Sequence, residues 1–100
     1  MRDRRFEPRH DTYENVEVGW TGDAGVDQKC PGIMRDLSRS GARIQLDRPI
    51  RLQTPLRIAI RDKELRGRVA SCVLKESTYM MGVEFDPEFQ GIIKTRPKAP

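Results

Sequence analysis

A chain of 100 residues makes one domain, not two, and a single β-barrel or sandwich of that size buries an adequate core without staples. Its 36% apolar and 34% charged residues, with both signs mixed along most of the chain, describe a globular domain with a solvated surface rather than a disordered tail. The net charge of +4 rests on arginine far more than lysine, which admits an anionic partner through the two parallel hydrogen bonds of the guanidinium fork but does not demand one, since codon bias also enriches arginine.

In chain order, Met1 to His10 is dense in charge and lacks the apolar stretch of a secretory signal. Nowhere does an apolar run approach the roughly 18 residues of a membrane span, so a cytoplasmic location is expected. Residues 1–13 have neither a helical nor a strand period and read as a flexible arm, with Pro8 as its stiff point. From Val16 the pattern changes: Val16, Val18 and Trp20 alternate with Glu17 and Gly19, the signature of a half-buried strand. Thr21 to Gly32, with its glycines and Pro31, reads as a loop. Ile33 to Asp36 reads as a short strand, and Leu37 to Gly41 as a serine-rich turn.

Ala42, Ile44 and Leu46 alternate with Arg43 and Gln45 in a further strand, and Pro49 and Pro55 make the following stretch irregular. Leu56, Ile58 and Ile60 mark the next strand, and Arg61 to Glu64 a hairpin turn. Leu65 to Lys75 is the longest candidate. Its apolar residues fall on both faces near the middle, as in a strand that is covered on both sides or bends across a barrel. After a turn at Glu76 to Thr78, Tyr79, Met81, Val83 and Phe85 share one face of the last strand. Pro87 to Ile93 predicts one or two helical turns with Asp86 as N-cap, and the basic, proline-rich end reads as a frayed tail. Sequential pairing of about six short strands favours an antiparallel sheet, which hides its edges best as a closed barrel. The expected organisation is all-β, one domain over residues 1–93 with an arm at 1–13, a barrel at 14–86 and a tail at 94–100.

Cys30 and Cys72 form no Cys-x-x-Cys pair, and with His10 as the sole histidine no zinc set is in view. The expectation is one buried and one loop thiol in a reducing compartment. Trp20, Tyr79 and Phe85 are expected in the core rather than on a base-stacking platform. Phe6, an aromatic in the arm, suits either a barrel plug or a ligand contact. No nucleophile–base pair, metal cluster or glycine-rich phosphate loop is visible, so a binding domain without a cofactor is expected, not an enzyme.

Two segments carry recognisable chemistry: Arg4-Arg5-Phe6-Glu7-Pro8-Arg9 in the arm and Asp36-Leu37-Ser38-Arg39-Ser40-Gly41 at a strand–turn–strand corner. Arginines on an arm cost entropy to order, which a ligand must offset. Their forks fit a phosphate diester and also the O6 and N7 acceptors of guanine. The two oxygens of Asp36 match the N1–H and N2–H₂ donors on guanine's other edge. Ser38 can donate to a phosphate or to guanine N7, and Gly41 permits a positive φ or close approach of backbone to a ring.

Arg5-x-x-x-Arg9 followed by Asp36-x-Ser38-x-x-Gly41 resembles the paired motif of the PilZ domain family, over roughly residues 4–86. Gly82-Val83-Glu84-Phe85 fits the family's usual ending. Thr54-Pro55, where the family often has glycine, and the short terminal helix depart from it. The resemblance implies a six-stranded antiparallel barrel and a site for cyclic di-GMP, a bacterial second messenger. By the same resemblance Arg5 and Arg9 clamp guanine and phosphate, Asp36 reads the guanine edge, Ser38 adds a hydrogen bond and Gly41 holds the turn. Arg4 would contact a second messenger molecule if the ligand binds as an intercalated dimer.

The implied function is a receptor whose arm is ordered by the ligand and which then signals to a protein effector, with homodimerisation left open. Two alternatives stand beside it. A small basic barrel binding nucleic acid is disfavoured by the lack of interleaved exposed aromatics and of a basic stripe. A PilZ-like adaptor without its ligand is disfavoured by the intact motif.

Overall fold

The computed structural model describes residues 10–90, which form six strands and one 3-10 turn. The strands are β1 (His10–Thr21), β2 (Asp27–Leu37), β3 (Gly41–Leu46), β4 (Pro55–Ile60), β5 (Lys63–Lys75) and β6 (Thr78–Phe85). They close into an antiparallel barrel in the order β1-β2-β3-β6-β5-β4. The expected architecture is therefore the observed one. The closing seam joins β1 to β4 through Glu17–Ala59, Val18–Ile58 and Gly19–Arg57.

The period-two alternation puts one face of every strand into a single apolar cluster. Val18, Met34, Ile44, Leu56, Ile58, Leu65, Val69 and Met81 are its largest fully buried side chains. Phe85 is buried and Trp20 packs against the cluster from the rim, whereas Tyr79 is only half-buried.

Several boundaries differ from the sequence reading, for physical reasons. Strand β1 begins at His10, so residues 10–13, read as arm, are strand. No residue from Asp11 to Asn15 is buried, so no apolar alternation marks the strand there, and its register shifts between Asp11 and Glu14. Strand β2 begins at Asp27, inside the expected loop, leaving only residues 22–26 to connect the two strands. Pro31 is tolerated there because β3 pairs only with Ile33 to Leu37. Among the described residues, the first half of β2 has β1 alone beside it, so a missing N–H on the other side breaks no ladder.

At the C-terminal end the expected helical turn is a single 3-10 turn over Pro87–Phe89, and residues 91–93 lie outside the described residues. Asp86 precedes it but makes no side-chain cap bond, and its carboxylate instead lies 3.8 Å from Arg68. Cys30 is buried as expected. Cys72 sits on β5, half-buried, rather than in a loop, and both thiols are free.

Candidate ligand-binding corner

The corner where β2 turns into β3 is shaped by one extra residue. Met34 pairs with Ile44 and Asp36 with Arg43, so Arg35 is a bulge in the ladder. A bulge reverses which residues face outward. Met34 and Leu37 therefore both point into the core, while Asp36 joins the outward-facing Arg43. Without the bulge, the strict alternation Cys30, Gly32, Met34 would aim an aspartate into the apolar interior.

The Asp36 side chain is nevertheless only 3% exposed, and that of Arg43 is 55% exposed. Arg43 donates from Nε to the carboxylate oxygen Oδ2 at 2.7 Å, and its Nη2 stands in ion-pair contact with the same oxygen at 2.7 Å. A buried carboxylate is sustained only by such charge-assisted partners. Nothing in the sequence singles out Arg43, which reads as an ordinary solvent-facing arginine. Among the described residues, Arg43 is a partner of Asp36.

Ser38 opens the turn and is buried. Its N–H donates to the Gly41 carbonyl at 2.8 Å and its hydroxyl to the same oxygen at 3.3 Å, closing the three-residue step of the chain. Gly41 serves packing rather than a positive φ, which it does not adopt. A Cβ there would stand 2.2 Å from the carbonyl oxygen of Val83, so only glycine lets β3 come this close to β6. The close approach that glycine permits here is to a neighbouring strand. Phe85 N–H, donating to the Ser40 carbonyl at 2.8 Å, ties the turn to the end of β6.

Bulges elsewhere fall at the same level of the barrel. Thr12 and Tyr13 of β1 stand beside Arg35, and the Arg35 guanidinium lies over the Tyr13 ring at 5.2 Å. Arg43 pairs with Gly82 of β6, and Gly82 with Ser71 of β5, just past the extra residue Ala70. Irregular pairing thus recurs at one level between β1 and β2, β2 and β3, and β6 and β5, and Asp11, Asp36, Arg43, Gly82 and Ser71 stand in one transverse row along it. Where Gly82 lacks a side chain the row dips into a groove of about 510 Å³, walled by Arg43 on one side and Ser71 on the other and reaching back to Ser40 and Gly41. Bulges gather where a surface is shaped for a purpose, because each one re-aims a side chain and twists the sheet.

Of the residues selected from sequence, the structure brings Asp36, Ser38 and Gly41 together at this corner, while Arg4, Arg5 and Arg9 lie outside the described residues. Among the described residues no group of three or more histidine, cysteine or acidic side chains stands close enough to hold a metal ion, and no helix is long and apolar enough to cross a membrane.

A family model described as the PilZ domain matches residues 3–93, a span that takes in both the arginine motif and the strand corner. No curated protein matches the chain.

Proposed function

The chain belongs to the PilZ domain family, a family of cyclic di-GMP receptors and adaptors rather than enzymes, and from that premise we propose that it binds cyclic di-GMP at the β2–β3 corner. The observation that carries the reading is Asp36: an acid turned to the outer face by a bulge, sheltered from water, and held in one orientation by Arg43. A carboxylate can accept about four hydrogen bonds, so the one from Arg43 Nε is compatible with donors from a guanine edge. Arg43 keeps the carboxylate aimed, Ser38 supports the turn, and the adjoining groove over Gly82 gives a purine a place to lie. Arg5 and Arg9 supply the guanidinium forks that the two phosphates require, and Arg4 reaches a second messenger molecule when the ligand binds as an intercalated dimer.

The mechanism in this proposal is a positional switch. The ligand bridges the N-terminal arginines and the barrel corner, and the surface so assembled engages a protein effector. Calorimetric titration with cyclic di-GMP is the test. A dissociation constant near or below about 1 μM, about −8 kcal/mol, is expected, with one or two ligands per chain. Arg5→Ala and Arg9→Ala should abolish the heat of binding while the far-ultraviolet circular dichroism of the barrel stays intact. Wild-type affinity in both variants would end this reading.

A further inference from the structure

Strand β5 is more than twice as long as the strand that closes the barrel against it. Strand β4 pairs with Lys63 to Arg68 only, and its ladder stops at Pro55, which has no N–H to continue it. The next residue of β5, Val69, is satisfied by the connecting segment: its N–H donates to the Thr54 carbonyl at 3.1 Å and its carbonyl accepts from Gln53 N–H at 2.8 Å. Beyond that point, among the described residues, Ser71 to Lys75 pairs with β6 on one side and with no strand on the other.

The direction of the backbone groups along this edge follows from the hairpin. Lys75 and Thr78 flank the two-residue turn Glu76-Ser77, with φ +59° at Glu76, and form its first hydrogen-bonded pair. Alternation then makes Val73–Met80 and Ser71–Gly82 the next hydrogen-bonded pairs. The N–H and C=O groups of Cys72 and Leu74 consequently point away from β6, along the open edge.

Sheet edges are normally guarded by charge, proline or a bulge turned against pairing. Here Ala70 to Leu74 carries no charge, in a chain that is 34% charged, and Val73 and Leu74 are 54% and 58% exposed. Such an edge accepts a strand.

We propose that the edge pairs with its own copy, antiparallel, across a two-fold axis at Val73. In that register Cys72 of each chain forms a hydrogen-bonded pair with Leu74 of the other, which uses all the outward backbone groups of both residues. Val73 faces Val73 as the close, non-hydrogen-bonded pair, with Met80 flanking it on the same face. Lys75 falls opposite Ser71, so no like charges oppose one another along Ser71 to Lys75. A surface that complements itself in this way makes a closed dimer and leaves no edge for further growth. Five residues of strand bury less than the roughly 1,200 Å² of a standard stable interface, so the dimer is weak by itself.

The test is sedimentation velocity of the full chain, combined with register-specific cross-linking. The wild type should sediment as a monomer near about 5 μM and shift toward a dimer by about 500 μM, the range of a weak interface. Val73→Lys should remain monomeric throughout, with unchanged circular dichroism. Val73→Cys should yield a covalent dimer on mild oxidation, because a close cross-strand pair meets disulfide geometry, while Ser71→Cys should not. A wild type monomeric at the highest concentration, a Val73→Lys variant that dimerises as well as wild type, or equal cross-linking of the two cysteine variants would overturn the proposal. Cyclic di-GMP titration of Val73→Lys keeps the two readings apart: binding should be unchanged whether or not the dimer exists.

Discussion

Arg43 of β3 and Asp36 of β2 face each other across the ladder because Arg35 is one residue too many for a regular strand. The pair is asymmetric, a half-exposed guanidinium on a buried carboxylate. Removing the arginine leaves the acid short of a partner it cannot replace with bulk water. Arg43→Ala should therefore destabilise the barrel by about 1–3 kcal/mol, the cost of a buried charged group losing hydrogen bonds. Arg43→Lys should recover only part, since a point charge does not donate twice in a fixed plane. Urea denaturation at neutral pH reads both, and a loss below about 0.5 kcal/mol for Arg43→Ala would show that the carboxylate does not depend on this partner.

Gly41 and Val83 give a second, separable result. A methyl group at position 41 would overlap a backbone carbonyl, which cannot rotate aside as a side chain does. Gly41→Ala should cost about 1–3 kcal/mol through overpacking and push β3 away from β6. A variant that binds ligand weakly and is also less stable would identify Gly41 as a residue that holds the corner rather than one that touches the ligand. Thermal denaturation alongside the titration makes that distinction.

The parts of this molecule that sequence foretells are those where alternation is uninterrupted. Strand β4 follows the period of two along its whole length and β3 and β6 along most of theirs, so their boundaries could be read to within a residue and most of their inward faces directly. The start of β1, the first half of β2 and the pairing of Arg43 could not. Asp11 to Asn15 bury no side chain that would mark a period, a one-sided ladder shelters Pro31, and a bulge at Arg35 decides which face Asp36 takes. Bulges are set by long-range pairing and leave little local trace. The motif Asp36-x-Ser38-x-x-Gly41 was legible as chemistry, yet its glycine acts through Val83, more than forty positions away in the chain.

The thiols differ in a way that chemistry can read. Cys30 is 2% exposed, and burial pushes its thiol above the ordinary value of 9.0, with Arg48 opposing the shift and Asp47 adding to it. Cys72 is half-buried on β5. At pH 8 a disulfide reagent should modify one thiol promptly and the second only in denaturant, and Cys72→Ser should erase the prompt phase. The raised folded-state value also sets a sign. The folded protein holds that proton more tightly than the unfolded chain, so the contribution is complete below the unfolded value near 9.0 and is lost as pH rises through the folded one. Stability should decline in alkaline solution, and Cys30→Ala should remove that part of the decline. An alkaline profile identical in wild type and variant would assign it to other groups.

Gly82 tests whether the groove beside the corner is part of the ligand site. It pairs with Arg43 on one side and Ser71 on the other and forms the floor between them. A Cβ at Gly82 would meet only the Ser71 hydroxyl, at 2.5 Å, and that oxygen can rotate away. Gly82→Ala should thus change stability by less than about 1 kcal/mol, in contrast to Gly41→Ala, whose neighbour is backbone. If a guanine lies in the groove, the same methyl raises its floor and weakens cyclic di-GMP about tenfold, or about 1.4 kcal/mol. Gly82→Ser, a little larger and able to hydrogen-bond, should weaken binding further. Full affinity in Gly82→Ala with an intact fold would move the purine off this groove and confine the ligand to Asp36, the turn and the N-terminal arginines.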